Sequence, residues 1–240
     1  MLKRTMTAVL CLMIMGVVIS CNKPDKSEPK KLGYADFLKN NPKQYSQYDE
    51  EVIIRHFFND RINGFYVDVG CAAAHDSSTT YYLEKNLGWT GIGIDALEGY
   101  RNSWETYRPK SKFISVAVTN HSGDSITFYE AGPVSSLDKD WAKNFNVEGR
   151  PVEVSTMTLN DILKGEGIKK FDLLSMDIEG AEPSALAGFD IERYRPKLVC
   201  IEYHSNEENL LDYFNKHGYE RIDEYVPHDI ANWYFRPKKK

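Results

Sequence analysis

The stretch VDVGCAAAHD, residues 67–76, decides how the chain is read. It opens as a nucleotide-binding turn does, with an apolar strand, an aspartate and then Val-Gly. Such turns usually carry two or three glycines, so that the backbone can approach a ligand closely. Here the glycines stop at Gly70, and Ala72, Ala73 and Ala74 follow. Either this is a cofactor loop with its later glycines replaced, or it is a strand end that resembles one.

The surroundings favour a loop at the edge of a parallel sheet. GFYVDVG before it is a short apolar run of the kind a buried strand shows. SSTTYYLEKNLG after it starts with hydroxyl residues able to cap a helix and ends at Gly88, a plausible residue just past a helix end. WTGIGID and KFISVAV read as further strands, with the helix YRNSWETYRP between them, stopped by Pro109. SITFYE is an extra hairpin strand, residues 131–150 are irregular, and VEVSTMT is extended again. LNDILKGEG is a helix, FDLLSM a buried strand and EPSALAGF a helix. PKLVCIEY, NEENLLDYFNKHG and WYFRP then read as strand, helix and closing strand. Upstream, YDEEVIIRHFFND places Val52, Ile53, His56 and Phe57 at helical spacing. Strands alternating with helices imply an α/β fold with a mostly parallel sheet covered on both faces. Ligands of such sheets bind at the carboxyl ends of the strands.

Chemistry-bearing residues fall at four of those ends. They are Asp68 with Gly70, Asp95, the SMDIEGAE block with Asp177 and Glu179, and IEYH with Glu202 and His204. Asp95 follows Gly70 by about 25 residues, close to the spacing of a ribose-binding carboxylate. Each residue has a plainer reading. Asp68 and Asp95 can cap the turns they precede, Glu179 can serve as a first-turn helix acid, and His204 can be an ordinary loop histidine. Together they say more. Carboxylates that converge need a proton, a cation or a cationic ligand. S-adenosylmethionine offers a sulfonium, an ammonium and a ribose diol, and a metal ion is the other candidate.

Residues 49–236 resemble an FkbM-family methyltransferase. FYVDVGCAAAHDSSTTYYLEKNLGWTGIGID is similar to that family's opening block, and SVAVTNHSGDSITFYE to its third strand and hairpin. STMTLNDIL is similar to the stretch before its central strand, and FDLLSMDIEGAEPSALAGFD to its Asp-x-Glu-Gly-x-Glu block. The resemblance implies a Rossmann-like class I methyltransferase: a mostly parallel seven-stranded sheet, helices on both faces and an antiparallel closing strand. It implies S-adenosyl-L-methionine as cofactor, with Asp68 and Gly70 at its methionine portion, Asp95 at the ribose, and Val116 and Ala117 near the adenine. Asp177 and Glu179 would face the sulfonium and the acceptor, a hydroxyl of a sugar, glycan or other small molecule. Asp177 is the first choice of general base, with Glu179 or His204 as alternatives. The sequence departs from the family at Ala73 and Ala74, where Asn or Asp and then Gly are common. At Asp95 Glu is frequent, and at Thr79 Asn. Ala74 is compatible with the loop if its φ is negative. A catalytically silent binding module on the same fold is the competing reading. A divalent metal held by Asp177, Glu179, Glu202 and His204 is a third.

The rest of the chain sets limits. It has 240 residues and a net charge of -5, with no dominant basic face, so nucleic acid is not indicated as a partner. Of its four cysteines, Cys71 and Cys200 read as small buried apolar residues, and no pair has metal-ligand spacing. Residues 1–21 join a charged start, an apolar run and the lipoprotein-like VISC, so Cys21 is the expected lipidation site of an exported protein. S-adenosylmethionine is a cytoplasmic metabolite, a conflict that the alternative of an uncleaved anchor would resolve. Lys23, Lys26, Lys30 and Lys31 after the run, against Lys3 and Arg4 before it, then keep the domain in the cytoplasm. Residues 22–33 are a polar linker and 34–240 the methyltransferase domain. The sequence carries no signal for oligomeric state.

Overall fold

Four apolar runs stand side by side and parallel at the centre of the sheet: β1 (Phe65–Val69), β2 (Thr90–Asp95), β7 (Leu173–Met176) and β8 (Leu198–Glu202). Both faces of this sheet are covered, so strand residues are buried on either side of the pleat. Val67, Val69, Ile92, Ile94, Leu174 and Met176 join one apolar cluster, and Tyr66, Leu173, Leu198 and Cys200 join the other. The computed structural model describes residues 32–204 and 206–239. The expected signal and most of the linker, residues 1–31, lie outside the described residues. Among the described residues no helix is long and apolar enough to cross a membrane.

The main sheet has the order β3-β2-β1-β7-β8-β10-β9, completed by β3 (Lys112–Ser115), β9 (Tyr219–Arg221) and β10 (Asn232–Pro237). β10 is antiparallel to both of its neighbours. This is the expected seven-stranded sheet, with its last strand inserted between β8 and β9. The helices in chain order are α1 (Tyr34–Asn40), α2 (Glu50–Phe58), α3 (Tyr81–Leu87), α4 (Arg101–Tyr107), α5 (Leu159–Gly165), α6 (Glu182–Ala187), α7 (Ile191–Tyr194) and α8 (Glu207–Lys216). Cys71 and Cys200 are buried free thiols, as their composition suggested.

Three differences from the sequence reading have physical causes. KFISVAV is not one strand. β3 pairs with β2 up to Ser115, Val116 donates to the Asp95 carbonyl, and β4 (Ala117–Val118) then pairs with β6 (Arg150–Met157). With β5 (Ser125–Glu130) this makes a second sheet, β4-β6-β5, at the carboxyl edge of the first. α1 and α7 were missed because a helix of four to seven residues shows too little periodicity to read. β9 has three residues, and its pairing with β10 is a tertiary effect.

The register places the strand ends level. Val69 lies beside Ile94 on one side and Met176 on the other, and Met176 beside Ile201. Gly70, Asp95 and Asp177 therefore sit next to one another. The order runs outward from β1 in both directions, so this is the topological switch point.

Candidate active site

A cavity of about 570 Å³, counting its open mouth, lies at that switch point. Its floor is Gly70, Ala72, Asp95 and Asp177, and Val116, Ala117 and Glu179 also line it. Of the expected cofactor residues, Gly70, Asp95, Val116 and Ala117 line the cavity, while Asp68 does not. Asp68 alternates with Val67 and Val69 along β1 and so faces the other side of the sheet. There it is buried and accepts a 2.6 Å hydrogen bond from Thr80 Oγ1. Burial pushes its pKa up, against Thr80, Arg108 and Ser175, which pull it down.

Gly70 is the close-approach residue. Its φ is +77°, and a Cβ there would overlap the Asp177 carbonyl oxygen. Ala74 meets the condition of a negative φ. Ala73 and Ala74 are not in the left-handed region, and Ala74 is fully buried in the core. The left-handed residue is Ala72, at φ +41°, a conformation that costs alanine about 1–2 kcal/mol. Specific bonds hold it there. Its N–H donates to Asp95 Oδ2 at 3.0 Å, and its carbonyl accepts from Trp104 Nε1 at 2.9 Å. Beyond it, Ala74 N–H meets Ser103 Oγ at 3.3 Å and its carbonyl accepts from Arg108 Nη1 at 3.1 Å. Side chains from α4 and the residue after it thus fix a backbone that glycines would otherwise let bend freely.

Asp95 ends β2 with its two oxygens accepting from Leu97 N–H (2.9 Å) and Ala72 N–H (3.0 Å). Burial raises its pKa to about 6. Tyr100, on the short 3-10 turn after it, and Phe128 of β5 complete the aromatic lining. Neither was read from sequence. Tyr100 sits five positions past Asp95, and an aromatic so close behind a ribose-type acid is the signal that was there to find.

The end of the cavity formed after β7 is acidic. Glu179 has φ +56° and lines the cavity. Its Oε2 accepts from Trp141 Nε1 at 2.5 Å, and its carbonyl accepts from Ser136 Oγ at 2.8 Å. Both partners belong to the irregular segment between β5 and β6, which also contributes Gly132, Pro133, Ser135 and Leu137 to the lining. Trp141 therefore holds a carboxylate rather than lying free, while Phe145 is half exposed. Burial, then the Asp177 charge, raises Glu179 to about 7. Asp177 is open to the cavity, yet protein surrounds it closely enough to push its pKa up, while Glu202 beside it pulls down. His204 is half exposed, stacks on Tyr203, and lies 3.4 Å from Glu202 Oε1. It is not in the cavity lining. Oxygens of Asp177, Glu182 and Glu202 lie within 4.8 Å of one another, a spacing that can hold a metal ion. Glu179 and His204, expected in such a set, are outside it, and Glu182 enters because α6 begins directly behind β7.

These acids set a pH dependence. Burial raises Asp95 to about 6, Glu179 and Glu182 to about 7 and Glu50 to about 8. Between the ordinary carboxylate range and these values the folded chain holds protons that the unfolded chain has released. Stability therefore falls as pH rises from about 4.5 to about 8. Each group contributes at most ~1.4 kcal/mol per pH unit within its own window. Thermal melts of the ligand-free protein should show the midpoint dropping from pH 5 to pH 8, and a flat or rising profile would contradict the burial of these carboxyls.

A sheet of this order, with a glycine turn and a ribose-type acid meeting at its switch point, defines a class I, S-adenosylmethionine-dependent methyltransferase. The profile of the methyltransferase FkbM domain matches residues 68–221. The chain belongs to the FkbM methyltransferase family. Among solved structures, a TehB-like SAM-dependent methyltransferase from Corynebacterium glutamicum is 14% identical, with a TM-score of 0.47, covering 84% of this chain and 92% of that one. A SAM-dependent methyltransferase from Geobacter sulfurreducens, in complex with S-adenosyl-L-homocysteine, is 10% identical, with a TM-score of 0.42, covering 79% and 72%. No curated protein matches the chain.

Proposed function

We propose that the protein transfers the methyl group of S-adenosylmethionine to a hydroxyl oxygen of a sugar, glycan or other small acceptor. One observation carries this reading: Asp177 and Glu179 line the same cavity as Gly70 and Asp95. The cofactor would lie along the floor, with its ribose at Asp95 and its adenine near Val116 and Ala117. The acceptor would enter under the segment that carries Trp141. The cofactor would supply its methyl group in line to the acceptor oxygen, with the electron pair of the broken carbon–sulfur bond left on sulfur. Most of the rate would come from alignment, with the proton leaving late. Glu179 suits that proton best. It lines the cavity, Trp141 occupies only one of its oxygens, and its raised pKa is near neutrality. Asp177 faces Glu202 and serves to position.

Calorimetry tests the reading. Wild type should bind S-adenosylmethionine, and Asp95→Ala should bind at least tenfold more weakly, since it loses both the ribose acceptor and the anchor of Ala72. Glu179→Gln should keep cofactor affinity and lose turnover with hydroxyl acceptors. Absence of binding to wild type at millimolar cofactor would sink the enzyme reading and leave a silent module on this fold. The apolar run before Cys21 supports tethering to a membrane, through a lipid or as an anchor. Protease accessibility of the domain in intact and opened cells distinguishes export from a cytoplasmic face.

A further inference from the structure

We propose that Asp177, Glu182 and Glu202 form a site for one hard divalent cation at the carboxyl ends of β7 and β8. One oxygen from each lies within 4.8 Å of the others. Oxygens bound to Ca²⁺ at ~2.3–2.6 Å lie at most ~5.2 Å apart, so each pair is close enough to share one cation and small side-chain shifts would bring all three onto it.

The second observation is a stranded atom. Glu202 is 7% exposed, and its Oε2 is sealed from solvent and meets no N–H or O–H donor among the described residues, only the carboxyl group of Asp177 facing Glu202. Leaving such an oxygen unsatisfied costs on the order of 1–3 kcal/mol, more for a charge. Among the described residues no lysine or arginine pairs with Asp177, Glu182 or Glu202, and the ion pair found there is Glu202 with His204. The other contacts orient the set. Glu182 Oε1 accepts from Ile178 N–H at 2.9 Å, and Asn206 Nδ2 reaches its Oε2 at 3.4 Å. His204 Nδ1 meets the opposite oxygen of Glu202. Such outer contacts are what aim ligands at a metal. An all-oxygen set selects Mg²⁺, Mn²⁺ or Ca²⁺ over thiol-seeking metals.

A proton is the competitor, since Asp177 and Glu202 face each other closely enough to share one. The surrounding charges favour any cation. Asp68 lies on β1, Glu179 on the turn after β7, Glu50 on α2 and Asp229 just before β10, all acidic, against His204 alone. Metal and proton compete for the same oxygens, so affinity must rise with pH. Because Asp177 also lines the cavity, a cation here would stand beside the acceptor. Binding itself needs no cofactor.

The test is a titration of the full-length chain with Mn²⁺, read by the paramagnetic resonance of free Mn²⁺, with Mg²⁺ and Ca²⁺ as competitors. We expect one saturable site at about pH 8, at least tenfold weaker at about pH 5.5. Glu202→Gln and Asp177→Asn should each weaken it at least tenfold, and Asp223→Asn, at an exposed acid, should leave it unchanged. Mn²⁺ should also raise the melting temperature of wild type. That measurement, with the pH dependence, decides the matter if a variant does not fold. No saturable site at millimolar Mn²⁺ means a shared proton alone and overturns the proposal, as does binding that both substitutions leave intact. Mn²⁺ binding without cofactor binding would keep this site and remove the methyl-transfer reading, and the reverse pair of results would do the opposite.

Discussion

Gly70→Ala should abolish cofactor binding and destabilise the fold by about 2–5 kcal/mol. Two costs add. The residue has φ +77°, where a side chain costs about 1–2 kcal/mol. The new methyl would also overlap the carbonyl oxygen of Asp177, which is backbone and cannot rotate away. Overpacking against rigid atoms adds roughly 1–3 kcal/mol. Gly70 N–H donates to Ile94 O at 2.8 Å and Asp177 N–H to Val69 O at 3.0 Å, so any shift pulls on β1, β2 and β7 together. Urea unfolding reads the stability loss and calorimetry the binding loss. A variant as stable as wild type would show that the two turns are not in contact.

Arg108→Met should cost about 3–5 kcal/mol, the range for stripping one partner from a buried ion pair. Arg108 is fully buried under the alanine loop. It donates to Glu84 (3.0 Å), Tyr66 Oη (2.6 Å), Thr80 Oγ1 (2.9 Å) and Ser78 Oγ (3.2 Å), as well as to Ala74 O. Without it Glu84 keeps a buried charge with no cation. Adding Glu84→Gln to Arg108→Met should recover part of the loss, a coupling that a double-mutant cycle measures. If the single change costs under about 1 kcal/mol, as an exposed pair would, Arg108 does not carry the loop.

The frame of the sheet was legible because its signals are local. Apolar runs ending in Asp-Val-Gly, GIGID and SMDIEGAE put Gly70, Asp95, Asp177 and Glu179 at strand ends, and the register brings them together. What stayed hidden depends on distant partners. Arg108 reads as the end of a surface helix, and its five bonds come from three other parts of the chain. Glu182 looks like a first-turn acid until β8 sets Glu202 opposite it. Glu50 and Asp229 come from opposite ends of the chain and meet through Asn232, whose Nδ2 reaches Glu50 Oε1 at 3.4 Å and Asp229 Oδ1 at 3.5 Å. The left-handed alanine is Ala72, a position the sequence did not mark, because Asp95 and Trp104 grip that residue from outside its own loop.

The break between β3 and β4 at Val116 has a wider consequence. From that point the chain builds a separate roof, the β4-β6-β5 sheet with its long connecting segment, over a floor made by other strands. Floor and roof thus hang together through the short joint at Val116 and Ala117, so the segment between β5 and β6 can change shape without moving Gly70 or Asp95.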